Sequence, residues 1–170
     1  MTPDPTARLL FRRMTDDDIE SMCQLLGDPD VMRHYPHPKS RAEVQRWIDW
    51  TKNNYAEHGF GLWVIEERST GDFVGDCGLT MQTVDGEQVL EVGYHVLPKH
   101  QGKGFATEAA RACVAYGLDA LGTGEVTAII VPENTASRRV AEHLGMTVAK
   151  TTHNADGDPI LIYSIGRPLN

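Results

Sequence analysis

The sequence predicts an α/β (α+β) fold: one mixed sheet of six to seven strands with about four helices. Three observations carry that expectation. The apolar stretches "LWVIEE", "FVGDCGLTMQTV" and "QVLEVGYHVL" are separated only by "RSTGD" and "DGE", connections short enough for antiparallel hairpins. Further along, a helical pattern precedes the strand-like "EVTAIIV", and a strand, helix, strand order implies a parallel pair. "MTVAKTT" and "ILIYSIG" then flank the turn "NADGDP" as a closing hairpin.

Each element has a local reason. "ARLLFRRM", residues 7 to 14, is apolar enough for a first strand. Thr15, followed by Asp16 to Asp18 and the periodic "IESMCQLL", reads as a helix N-cap with acids at the positive helix end. Three prolines in "GDPDVMRHYPHPKS", residues 27 to 40, exclude a long regular element and leave a shaped loop. Ser40 and Glu43 form a capping box, and Val44, Trp47, Ile48 and Tyr55 follow at helical spacing. A second helix is therefore expected from about Arg41 to about Glu57, ended by Gly59 and Gly61. Beyond the meander, Ala109, Ala110, Cys113, Val114, Gly117, Leu118 and Leu121 trace the face of a third helix. "EVTAIIV" has the composition of a strand buried on both sides, and "ENTASRRVAEHLG" supplies a fourth helix closed by Gly145. No repeat or internal linker interrupts the chain, so residues 1–170 are expected to form a single domain.

Composition narrows the function classes. No window approaches the run of about eighteen apolar residues that crosses a bilayer, and "MTPDPTARLL" lacks the zones of a signal peptide. A soluble, cytoplasmic protein without membrane partners is expected. Cys23, Cys77 and Cys113 stand in no disulfide or zinc-ligand spacing and read as small core residues. With 24 acidic against 16 basic residues the formal net charge is −8, and neither a basic stripe nor an aromatic recognition sheet marks a nucleic-acid site. A cationic or neutral partner suits this charge better.

The most informative stretch is "KHQGKGFATEA", residues 99 to 109, two glycines a residue apart between a strand and a helix. Consecutive backbone N–H groups in such a turn form a concave, partly positive nest for phosphate, and Gly102, Gly104 and Ala106 leave room for close approach. Glycine for tight packing at a helix start is the plainer reading. A Walker A loop is excluded because Phe105, not a Lys-Ser or Lys-Thr pair, follows Gly104. A dinucleotide fingerprint would need a third glycine where Thr107 stands, although Glu133 is placed roughly for its acid.

"QGKGFA", Gln101 to Ala106, resembles the Q/R-x-x-G-x-G/A loop of the GCN5-related N-acetyltransferase (GNAT) superfamily, which holds the pyrophosphate of acetyl-coenzyme A. Together with "EVGYHVLPKHQGKGFATEAARACVAYGLDALG" and "VPENTASRRVAEHLGM", the chain looks like the branch of the ribosomal-protein-alanine N-acetyltransferases, and the order of elements is similar over almost its whole length. The resemblance implies a GNAT fold whose central parallel strands splay apart around the pantetheine arm. It implies acetyl transfer from acetyl-coenzyme A directly to a primary amine, on a small molecule or a peptide N-terminus, in a ternary complex without a metal.

By the same resemblance, Tyr94, His95, Val96 and Leu97 contact pantetheine through main chain, and Gln101, Gly102, Lys103, Gly104, Phe105, Ala106 and Thr107 hold the pyrophosphate. Glu91, which interrupts an apolar strand, is the candidate base or water-positioning group; a strand-end carboxylate paired with a surface cation is the bland alternative. Asn134 and Ser137 match the family's Asn-x-x-Ser, the first as cap and pantetheine partner, the second as proton donor to the leaving thiolate. Simple capping and a first-turn hydroxyl remain their alternatives. Where many members carry a Tyr acid seven residues after that Asn, this chain has Ala141, which leaves Ser137, water or Tyr163. Arg138 reads as a phosphate partner or as half of a helix ion pair.

The family's acceptor channel is walled by the first helices and their loop, which places His34, Tyr35 and His37 at the acceptor. Two histidines without a third partner do not make a metal site. Trp47 and Trp63 read as core more readily than as pocket. The other class of function open to this sequence is an acyl-coenzyme A sensor that keeps the fold and has lost turnover. Both monomer and homodimer are compatible with it.

Overall fold

The computed structural model describes residues 1–167; residues 168–170 of the expected domain lie outside the described residues. Seven strands form one sheet in the order β1-β2-β3-β4-β5-β7-β6. They are β1 (Leu9–Arg13), β2 (Leu62–Glu67), β3 (Phe73–Val84), β4 (Glu87–Val96), β5 (Glu125–Ile130), β6 (Thr147–His153) and β7 (Pro159–Gly166). All neighbours pair antiparallel except β4 and β5, the expected parallel pair. The hairpin between β3 and β4 turns at Asp85 (φ 50) and Gly86 (φ 82), the two left-handed residues that a tight two-residue turn demands.

Four helices cover the sheet: α1 (Ile19–Leu26), α2 (Arg41–His58), α3 (Phe105–Ala115) and α4 (Thr135–His143). The capping box at α2 is present: the Glu43 N–H donates to Ser40 Oγ at 3.3 Å, and the Ser40 N–H donates to Glu43 Oε2 at 2.7 Å. Thr15 begins with a short 3-10 turn (Asp16–Asp18) before α1. There the Asp18 carboxylate accepts the Thr15 N–H at 2.8 Å and both terminal nitrogens of Arg12, which also reaches Glu66. That clamp ties β1, β2 and the start of α1 together.

The two faces of the sheet are packed differently. On one, Cys77 meets Cys113 of α3 at 3.5 Å as free buried thiols, and Trp63 packs edge-on against Tyr116. After α3 the chain widens into a π turn (Tyr116–Ala120), where Gly117 lies close to Val126, Leu79 and Leu90. The third helix is thus shorter than its apolar pattern suggests. On the other face, Tyr55 of α2 accepts the Met14 N–H at 3.0 Å and donates to the Leu62 carbonyl. Trp47 of α2 lies edge-on to His95. Among the described residues no helix is long and apolar enough to cross a membrane.

Candidate active site

The cleft originates in missing strand pairing. β4 and β5 share register only at Glu91↔Thr127, where Thr127 Oγ1 also donates to the Leu90 carbonyl at 3.1 Å. β4 then runs on to Val96 and β5 to Ile130 without further pairing, leaving backbone groups for another partner. The gap opens at the carboxyl ends of two parallel strands, the place where open sheets accept ligands. A cavity of about 680 Å3 runs through it, from Gln101 and Gly102 before α3 to His34 and Tyr35 in the 27–40 loop.

At the α3 end, Gly102 (φ 72) and Gly104 (φ 82) adopt the left-handed conformation that glycine alone takes readily. Gly104 caps α3 without a side chain, and the first intrahelical bond runs from the Glu108 N–H to the Gly104 carbonyl at 3.0 Å. The N–H groups of Phe105, Ala106 and Thr107 therefore point out of the helix end, an arrangement that suits a diphosphate. Arg8 braces the turn: it donates to the Lys103 carbonyl at 2.9 Å and to Glu108 at 2.7 Å, and it covers the Phe105 ring at 4.5 Å. Gln101 donates to the Val96 carbonyl at 2.9 Å and so fastens the turn to β4. His100 is buried here with both ring nitrogens unpartnered among the described residues, and burial holds its pKa below the ordinary value.

Glu91 stands where the strands part. Burial pushes its carboxyl up to about 7, against the opposing hydrogen bonds from Thr80, at 3.4 Å, and from the Ile129 N–H. A carboxyl held near neutrality can take and release a proton at working pH. At the start of α4, the Asn134 side chain accepts the Ser137 N–H at 3.1 Å, while the Ser137 carbonyl accepts the Tyr94 phenol at 3.0 Å. Burial raises the Tyr94 pKa.

At the loop end three residues form a chain. Asp76 Oδ1 lies 2.7 Å from His95 Nδ1, and His95 Nε2 lies 2.8 Å from the Tyr35 hydroxyl. Asp76 is fully buried and its Oδ2 has no partner among the described residues. His95 is pushed up to about 10: burial alone would lower it, and the combined pull of Tyr35 and Asp76 outweighs that.

Thus Glu91, Tyr94, His95, Val96, Gln101, Gly102, Gly104, Phe105, Ala106, Thr107, Asn134, Ser137, His34 and Tyr35 line one cavity. Leu97, Lys103 and His37 are not among its walls: Leu97 is buried with its N–H on the Val74 carbonyl, and His37 turns to Glu43 at 2.9 Å. Tyr163 and Arg138 also stand outside, bonded to each other at 3.2 Å. Ala141 is buried and apolar. The residues that sequence reasoning passed over are Asp76, Thr80 and His100; a lone acid inside the apolar "FVGDCGL" was the available signal for the first.

Residues 8–147 match the acetyltransferase (GNAT) domain family. The uncharacterized protein YkkB of Bacillus subtilis (strain 168) is 40% identical over 159 residues, covering 93% of this chain and 92% of that one. The crystal structure of a GNAT-family acetyltransferase from Bacillus anthracis superposes with a TM-score of 0.80 at 25% identity, covering 98% of each chain. Spermidine N-acetyltransferase from Vibrio cholerae, in complex with CoA and spermine, superposes with a TM-score of 0.76 over 95% of this chain and 97% of that one; at 17% identity it speaks for the fold alone.

Proposed function

The chain belongs to the GNAT acetyltransferase family, and on that footing we propose that it transfers acetyl from acetyl-coenzyme A to a primary amine within one ternary complex. The observation that carries this reading is the unpaired gap between β4 and β5, with a phosphate nest at one end and a near-neutral carboxyl at its fork. Gly102, Gly104 and the N–H groups opening α3 suit the pyrophosphate, and the backbone edge of Tyr94 to Val96, apart from the Val96 carbonyl that Gln101 holds, suits the pantetheine amides. The Leu97 N–H, already given to Val74, drops out of that edge. The wording around Glu91, Asn134 and Ser137 supports the ribosomal-protein-alanine-like branch, with residues 1–170 acting as one domain.

The acetyl thioester supplies an electrophilic carbonyl carbon and a thiolate leaving group. Glu91 takes a proton from the amine, directly or through one water, as the C–N bond forms. The C–S bond breaks, and Ser137 Oγ passes a proton to the departing sulfur and recovers one from water. His34 and Tyr35 line the acceptor end.

Ala141, buried and apolar at the position where the family resemblance implies a phenol acid, favours a second reading, a coenzyme A sensor without turnover. Calorimetric titration with acetyl-coenzyme A and, as control, NADH, continued into a thiol-release assay over amines and peptides, separates the two. Thiol release establishes the transferase; binding without release across the panel favours the sensor, and no binding removes both.

A further inference from the structure

The Asp76, His95 and Tyr35 chain is built more expensively than a pocket wall requires. Asp76 is fully buried on β3, and His95, opposite it in register, shows only 9% side-chain exposure. A buried carboxylate is tolerated when a cation balances it, and among the described residues no other cation bonds to Asp76. The balance holds when His95 is an imidazolium that donates Nδ1–H to Asp76 and Nε2–H to the Tyr35 oxygen. Tyr35, with its oxygen occupied from below, then has its own hydrogen free for the cavity that it lines.

Register puts Glu91, Gly93 and His95 on one face of β4, opposite Thr80, Gly78 and Asp76. Glu91 and His95 are four residues apart, about 13 Å along the strand, with Gly93 between them on the same face. A Cβ at Gly93 would meet nothing nearer than Leu62 Cδ2 at 3.8 Å, so packing does not require glycine; its absence of side chain leaves an open floor. The other charged and titratable groups at this end of the cavity are Glu91 on the strand and, from the loop, Asp30, Arg33 and His34, with Lys39 beside Tyr35 outside its walls. Arg33 is held by Asp30, and Lys39 lies over the Trp47 ring at 5.1 Å and the Tyr35 ring at 6.0 Å.

We infer that Tyr35, positioned by His95 and Asp76, is a hydrogen-bond donor that selects peptide-like acceptors: an amine beside Glu91 on a chain whose carbonyl or carboxylate oxygen reaches Tyr35. An extended chain advances about 3.3–3.6 Å per residue, so an acceptor that runs along the strand from Glu91 towards His95 has the length of a short peptide. A polyamine offers only N–H donors and positive charge, and so gives the Tyr35 hydrogen no acceptor. The inference rests on the acetyltransferase reading and names the acceptor class for it.

The test compares Ala-Ala-Ala-amide, L-alaninamide, isopropylamine and spermidine, both by kcat/KM and by calorimetric affinity for the coenzyme A-loaded protein. The tripeptide amide is expected to exceed isopropylamine and spermidine about 10–100-fold, the usual worth of a hydrogen bond to or from a charged network. L-Alaninamide distinguishes a single residue from a longer chain: equal preference places the selected oxygen on the first residue. Tyr35→Phe should shrink the preference about 10-fold, and Asp76→Asn should do the same with Tyr35 intact, because a neutral His95 takes back the phenol hydrogen. Nitrogen-15 NMR of the His95 ring should show both nitrogens protonated in the parent at pH 7.5 and one in Asp76→Asn. Thermal unfolding and coenzyme A affinity report folding of each variant. Spermidine or isopropylamine matching the tripeptide, or an unchanged ratio in Tyr35→Phe, overturns the inference. Preference in binding without any thiol release removes the transferase reading instead and leaves this one standing.

Discussion

The two faces of the β3–β4 hairpin have the same backbone and opposite chemistry. Towards α3 and α4 it presents Cys77, Leu79, Val92 and Tyr94; towards α1 and α2 it presents Asp76, Thr80, Glu91 and His95. In an ordinary half-exposed hairpin the polar face would be wet. Here both faces are covered, so the alternation separates a packing face from a reacting face. Burial stabilises the first; on the second it raises the Glu91 carboxyl, while Tyr35 and Asp76 together raise His95.

The largest separation of the two faces should come from Glu91→Gln. Loss of a positioned acid–base group is expected to lower kcat by about 100–10,000-fold with acetyl-coenzyme A affinity preserved, and to remove the pH dependence centred near 7. Undiminished turnover would return Glu91 to a structural role. Trp63→Ala tests the packing face. Trp63 is fully buried against Tyr116, and its truncation should cost about 3–5 kcal/mol, read as a lower unfolding midpoint, with kcat per folded molecule little changed.

Stability against pH should distinguish two groups on the reacting face itself. The Glu91 carboxyl has its folded pKa raised from 4.5 to about 7, so the unfolded chain ionises first. Stability therefore falls as pH rises from 4.5 to about 7, by about 3 kcal/mol, and Glu91→Gln should recover it at pH 8. His95 is a base raised from 6.5 to about 10, so its contribution is fully present below pH 6.5 and is lost as pH rises through about 10. Urea unfolding midpoints from pH 5 to 10 check both, and a midpoint for Glu91→Gln parallel to the parent across that range would contradict the first.

What could be read from the sequence follows the same division. Strands, helices and the glycine turn declared themselves because their determinants are local: alternation in β3, the Ser40 and Glu43 capping box, Gly102 and Gly104 ahead of α3. Glu91 was legible as an acid in an apolar strand. Asp76 carried the same signal, but its meaning depends on His95, nineteen residues on, and on Tyr35 in a loop that only the tertiary fold brings to β4. His95 was expected to act through its main chain, and its side chain does the bonding. His37 was placed with its loop neighbours, yet the capping carboxylate of Glu43 draws it away. The widened turn after α3 also escaped, since the apolar residues of a π turn continue a helical stripe.

The smallest expected effect comes from one of two glycines of this hairpin that look interchangeable in sequence. A Cβ at Gly75 would lie 1.9 Å from the His95 carbonyl oxygen, backbone that cannot move aside, so Gly75→Ala should cost about 3 kcal/mol or more. At Gly93 the nearest atom is a flexible Leu62 methyl at 3.8 Å, and Gly93→Ala should change stability by less than about 1 kcal/mol. The added methyl would still stand on the floor between Glu91 and His95. It should therefore raise the acceptor KM about 10-fold while acetyl-coenzyme A affinity holds. An unchanged KM in a stable Gly93→Ala protein would mean that the acceptor does not cross this face, and the open space above Gly93 would belong to packing alone.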